Sequence, residues 1–210
     1  LAVSSIELTL FLSNNALSPV LAGFNSMSDV EDAAATITGT SLASGNDQND
    51  PLLQWATPTT LPHLLNIKAG IYDIHFHAFY TGTGTTSVTV YFKLYYCDAD
   101  VANPVQIGGN SETSDPLNKT TSLSEDAHIT VSADVAIDVT KRLKLLTFVN
   151  HASPTNKTVS IDIGGTADSH LSIAIPATEL TSIFVPYTGA TQNVDLGAKT
   201  LTARITKRVG

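Results

Sequence analysis

His75 and His77 stand one residue apart in the segment Ile71-Tyr-Asp-Ile-His-Phe-His-Ala-Phe-Tyr80, and Asp73 precedes them by the same step. Alternate residues of an extended chain point the same way, so Ile71, Asp73, His75, His77 and Phe79 share one face. Two imidazoles and a carboxylate on one face could bind zinc or a similar ion, because imidazole nitrogen and carboxylate oxygen are both zinc ligands. If three copies met on a three-fold axis, one His pair from each would supply six nitrogens. The plainer alternative, and the favoured one, is a polar outer face or a face packed against a neighbouring subunit. No other cofactor is expected.

Other residues offer weaker chemistry. Trp55, Tyr91 and Tyr95 are candidate ligand-binding aromatics that could stack on sugars. Tyr91, Lys93 and Tyr95 alternate with Val90, Phe92 and Leu94, so the tyrosines are expected to point outward, into subunit contacts before glycan contacts. Asp98, Asp100 and Asp115 could gather round calcium, but no EF-hand spacing is present. There is no Gly-x-Ser-x-Gly elbow, and Thr83-Gly84-Thr85-Thr86-Ser87 lacks the lysine of a phosphate loop. Cys97 reads as a buried or edge thiol. None of the five glutamates, Glu7, Glu31, Glu112, Glu125 and Glu179, sits in an evident cleft-forming strand. The chain is therefore expected not to be an enzyme, with no catalytic residue assigned.

Composition narrows the class. Charged residues make up 14% and hydrophobic ones 42%, which argues against a disordered chain. Abundant Thr, Val and Ile fit a pleated, half-buried surface and disfavour a helical bundle. The net charge of −8 would repel a phosphate backbone, so no nucleic-acid partner is expected. The cluster Arg204, Lys207 and Arg208 reads as a solvated tail. With one cysteine no internal disulfide can form, so stability must come from packing, to which oligomerisation could add. No apolar run has the length to span a bilayer, and no signal-peptide pattern is seen, so membrane insertion is not expected.

The elements that must position these residues are short strands. Alternation predicts strands over Val3–Leu12, Ile71–Tyr80, Ser87–Cys97, Ala127–Ala133, Val135–Val139, Arg142–Asn150, Lys157–Ile163 and Ser169–Ile175, with a short one at Val105–Ile107. Ile71–Tyr80 and Ser87–Cys97 are expected to form a hairpin through the Gly-rich loop 81–86. Ser28 with Glu31 resembles a capping box, which predicts a short helix over Met27–Ala35. Many short strands with Gly, Pro and Asn turns predict an all-β sandwich or jelly roll.

Two stretches carry a family resemblance. Pro186-Tyr-Thr-Gly-Ala-Thr191, Val194-Asp-Leu-Gly197 and Leu201-Thr-Ala203 together resemble a segment that recurs in bacteriophage tail-fibre and other virion proteins. It lies there between a globular module and a following fibrous or receptor-binding part. More broadly, Leu64–Tyr80 with Ile67-Lys-Ala-Gly70-Ile71-Tyr72 resembles the opening of a TNF-like or complement-type head, and residues 60–176 resemble a phage version of that layout. The family's usual Asp-Arg pair stands here as Lys141-Arg142.

That resemblance implies a jelly-roll homotrimer that binds ligands or builds appendages. The expected organisation is an N-terminal strand and attachment segment over 1–58, a jelly-roll domain over 59–183 and a connector over 184–210. The expected function is that of a bacteriophage virion structural protein, a tail-fibre or appendage module for assembly and host attachment. The alternatives are a capsid decoration or head-fibre protein, and a glycan-cleaving appendage enzyme. Expected partners are two further copies, other virion proteins and a host surface glycan or protein. The expected location is the virion, after assembly in the host cytoplasm.

Overall fold

In the computed structural model the described residues are 5–17, 21–39, 50–59, 61–62, 64–84, 86–152 and 155–176. They form the strands β1 (Ser5–Ala16), β2 (Asn25–Ser28), β3 (Ala35–Thr38), β4 (Leu53–Ala56), β5 (Asn66–Ile67), β6 (Gly70–Gly82) and β7 (Val88–Cys97). The chain continues as β8 (Val105–Ile107), β9 (Leu123–Val131), β10 (Val135–Ala136), β11 (Arg142–His151), β12 (Lys157–Ile163) and β13 (His170–Pro176). No helix occurs among the described residues. The all-β class expected from composition is what the described residues adopt.

Eleven strands join one mixed sheet in the order β3-β12-β6-β13-β1-β2-β4-β11-β7-β8, with β9 on the other side of β6. β5 and β10 form a separate two-stranded ladder. β1 couples the two ends of the large sheet. Its Ser5–Phe11 half pairs with β13, and Phe11–Ala16 pairs with β2, with a register shift between Leu12 and Ala16. Residues 1–58, read as a separate segment, thus contribute β1 to β4 to the same sheet as the rest.

The expected hairpin of Ile71–Tyr80 with Ser87–Cys97 is corrected by the ladders. β6 pairs with β9, β12 and β13, whereas β7 pairs with β11 and β8. The two alternating apolar rows meet face to face instead: the Phe76 and Phe92 rings pack at 5.0 Å and 64°. Both rings are fully buried, and burying each contributes about 1.5–3 kcal/mol. Alternation reports which face of a strand is apolar; it does not report whether the partner lies beside or opposite. Thr83, just past β6, is held by Lys157 at the start of β12 and by Thr155 before it: Lys157 Nζ and Thr155 Oγ1 both donate to the Thr83 carbonyl.

The expected helix at Met27–Ala35 is also corrected. Met27 is fully buried in β2 against β1, and burial in the sheet outweighs the weak helix signal. Ser28 still makes a local cap, of a turn: its hydroxyl accepts from the Val30 N–H at 3.2 Å and donates to the Val30 carbonyl at 2.8 Å. Lys141 and Arg142 do different work. Lys141 pairs with Asp98, while the buried Arg142 donates through Nη1 to the Thr57 carbonyl at 3.2 Å.

Candidate functional site

β6 is the axis of the candidate site. Tyr72, Ile74, Phe76, Ala78 and Tyr80 are buried, which turns Asp73, His75 and His77 to the outer face. Register then brings in residues from the flanking strands. Asp126 of β9 and His170 of β13 stand opposite His75 on its two sides, and Phe11 of β1 stands opposite His170. One step along, His128 and Ser172 flank Asp73. Directly opposed side chains are about 4.5–5.5 Å apart at Cβ, within reach of one another. The result is an open cleft of about 440 Å3, lined also by Glu7 and Asp168.

Asp168 arrives by a different route. β12 and β13 both run antiparallel along the same edge of β6, at His77–Gly82 and Asp73–His75 respectively. The turn between them bulges out and carries Asp168. Gly164 makes that turn at φ +66°, and a Cβ there would sit 2.3 Å from the Asp32 carbonyl oxygen. Ser169 closes the gap in the ladder: its hydroxyl accepts from the His77 N–H at 3.0 Å and donates to the Asp162 carbonyl at 2.6 Å.

The hydrogen bonds assign protons. His75 Nδ1 lies 2.7 Å from Asp126 Oδ1. An ionised carboxylate only accepts, so Nδ1 carries the hydrogen and a neutral His75 presents a lone pair at Nε2. That nitrogen faces His77 Nε2 at 3.2 Å and Asp168 Oδ1 at 3.7 Å. The His75 and His77 rings meet edge to face at 5.1 Å, and His170 lies 5.5 Å from His75 on the other side. His77 is held below its ordinary pKa, first by burial and then by His75, against an opposing pull from nearby carboxylates including Asp168. His75, His77 and Asp168 are a group whose ligand atoms all lie within 4.8 Å of one another.

A second ion-paired group borders the cleft. His128 Nδ1 hydrogen-bonds Glu112 Oε1, and its Nε2 lies 3.3 Å from Asp73 Oδ1. Glu112 also accepts from the His128 N–H at 3.0 Å. The hydrogen bond to Glu112 raises the His128 pKa above its ordinary value.

The candidate aromatics lie elsewhere. Trp55 is fully buried in β4, its indole Nε1 donating to the Ser13 carbonyl at 3.1 Å, so it has no face open to a ligand. Tyr91 is not exposed as expected but buried, stacked on Phe148 at 5.2 Å and 17°. Tyr95 is half-buried in the same outer cluster with Leu146 and Phe24. Asp98 is occupied by Lys141 and Asn103, and Asp100 accepts from the Ala102 N–H, so both organise a turn. The Cys97 thiol is buried, and burial pushes its pKa up to about 11, which leaves it unreactive as a nucleophile. The connector 184–210 and its basic cluster lie outside the described residues.

Sequence reading found His75 and His77 but missed Asp126, His128, Asp168 and His170. One signal was present: Asp126, His128 and Thr130 alternate with the apolar Ala127, Ile129 and Val131, which are buried, and this marks a polar outer face. Nothing local showed that this face adjoins that of His75.

No protein-family model matches the chain, and no curated protein matches it. Solved structures do. A CocE/NonD family hydrolase from Staphylococcus aureus aligns at TM-score 0.53 and 10% identity, over 82% of this chain and 37% of that one. An aminopeptidase from a marine sediment Thaumarchaeota archaeon aligns at TM-score 0.56 and 10% identity, over 82% and 37%. The chain thus spans about 37% of the length of these neighbours, and at this identity the likeness is one of fold. The likeness corrects the expectation that the chain is not an enzyme. That expectation rested on missing motifs, whereas the β-fold itself forms part of hydrolase chains. Among the described residues no helix is long and apolar enough to cross a membrane.

Proposed function

We propose that this chain is a jelly-roll module of a bacteriophage virion appendage, which assembles as a homotrimer and serves attachment to the host surface and to other virion proteins. The observation that carries this reading is the segment Pro186–Ala203, which resembles the connector of virion proteins and follows β13, the last strand among the described residues. A trimer would present three copies of one weak binding surface, and linked copies gain avidity without new contacts. The loop residues between β7 and β9 supply the exposed surface for such contacts. Light scattering on the purified full chain tests the assembly: three chain masses are expected, and a stable monomer overturns it. Labelled antibody against the chain is expected to decorate an appendage of the intact particle.

A second reading is favoured by the hydrolase neighbours together with the cleft of histidines and carboxylates. In it, the chain is a module of a hydrolase acting on a surface polymer. Incubation of the full chain with ester, peptide and polysaccharide substrates tests it. Release of product that disappears with His75→Ala is expected, and no product from any of the three overturns it.

A further inference from the structure

We propose that His75, His77 and Asp168 form a site for one divalent transition-metal ion of the zinc type on the outer face of the sheet, with Asp126 positioning His75. The site is contained in a single chain, so the proposal stands apart from trimer formation.

The spacing suits the ion. Zinc binds imidazole nitrogen at about 2.0–2.1 Å with tetrahedral angles, which puts two ligand atoms about 3.3 Å apart. His75 Nε2 and His77 Nε2 are 3.2 Å apart, and Asp168 Oδ1 is 3.7 Å from His75 Nε2. All three ligand atoms lie within 4.8 Å of one another, so movement of the Asp168 carboxylate toward the two nitrogens completes the third contact. Two nitrogen donors in three select a transition metal over calcium or magnesium, which take oxygen ligands.

The surroundings are built to hold these groups. Asp126 fixes the His75 tautomer from behind, the carboxylate–histidine arrangement that orients metal-bound imidazoles. Ser169, next to Asp168, accepts from the His77 N–H and donates to the Asp162 carbonyl, so the turn that carries Asp168 is tied to the strand that carries both histidines. The turn that delivers Asp168 needs glycine at 164, where a Cβ would strike the backbone of residues 32 and 33. Three protein ligands leave one position for water or an incoming ligand, as in zinc sites that act on substrates.

Titration of the EDTA-treated, tag-free full chain with Zn2+ by calorimetry, and with Co2+ by visible absorption, tests the proposal. One ion per chain is expected, with the absorption of imidazole-bound Co2+ in a site of low coordination number. His77→Ala should weaken Zn2+ binding by more than about tenfold, and Asp126→Asn by about tenfold. His128→Ala, in the same cleft but paired with Glu112, should bind as the unaltered protein does. Thermal melts confirm that each variant is folded. Three results overturn the site: a Co2+ spectrum of the free hydrated ion in the unaltered protein, one ion per three chains, or unchanged Zn2+ affinity in the His75→Ala/His77→Ala double variant. The first needs no variant at all.

Discussion

The outer faces of β6 and β7 are built from the same strand periodicity and do opposite things. On β6 the outward positions are Asp73, His75 and His77, which meet further histidines and carboxylates across the ladders and leave a polar, open cleft. On β7 they are Tyr91, Lys93 and Tyr95, which meet Phe148, Leu146 and Phe24 and close into a small apolar cluster of their own. Lys93 Nζ sits 4.4 Å from the centre of the Phe148 ring, and Lys144 Nζ sits 5.0 Å from that of Phe24. One face therefore holds ionisable groups in reach of solvent, and the other uses its cations to cover aromatic surface. What is outside the main core need not be open to a ligand.

The sharpest way to break this contrast is to truncate one residue on each face. Phe148→Ala should cost about 3–5 kcal/mol, because Phe148 is almost wholly buried, whereas His170→Ala on the histidine face should stay within about 1 kcal/mol. Urea unfolding of the two variants measures both, and equal losses would remove the distinction. A smaller effect is expected from the ring stack. A double-mutant cycle of Tyr91→Leu and Phe148→Leu should return a coupling of about 0.5–1.5 kcal/mol. Smaller again is the cation over the ring: Lys93→Gln should lose about 0.5–1 kcal/mol against Phe148.

The histidine face should instead respond to pH. Burial would raise the Glu112 pKa, but hydrogen bonds from His128 and the backbone outweigh it and hold the group below its ordinary 4.5. The same contact holds His128 above its ordinary 6.5. Their mutual stabilisation is therefore complete between those two values. It fades below as Glu112 takes up a proton and above as His128 loses one. The melting-temperature difference between the unaltered protein and Glu112→Gln should peak between pH ~4.5 and ~6.5 and shrink on both sides. The same scan on Phe148→Ala should show no such peak.

The correction at β6 and β7 shows how far alternation reaches. The apolar rows at Tyr72–Tyr80 and Val88–Leu94 were legible, and so were the short strand at Val105–Ile107 and the strand at Lys157–Ile163. Their partners were not. A side chain's inward or outward direction follows from the chain's own geometry, but ladder pairing depends on where distant segments lie, and nothing in residues 71–97 encodes that. The same limit governed the aromatics. Trp55 looked as available as Tyr95 until Ser13 and the core enclosed it.

The residues alone determined the all-β class, the polar face of β6 and the pairing of His75 with His77 on it, because each follows from local periodicity and composition. Only the tertiary structure decided that Asp126, His128 and His170 would stand beside them and that a Gly164 turn would deliver Asp168. Those residues lie about 50 to 95 positions away, and register between strands fixes their proximity, which no local pattern carries.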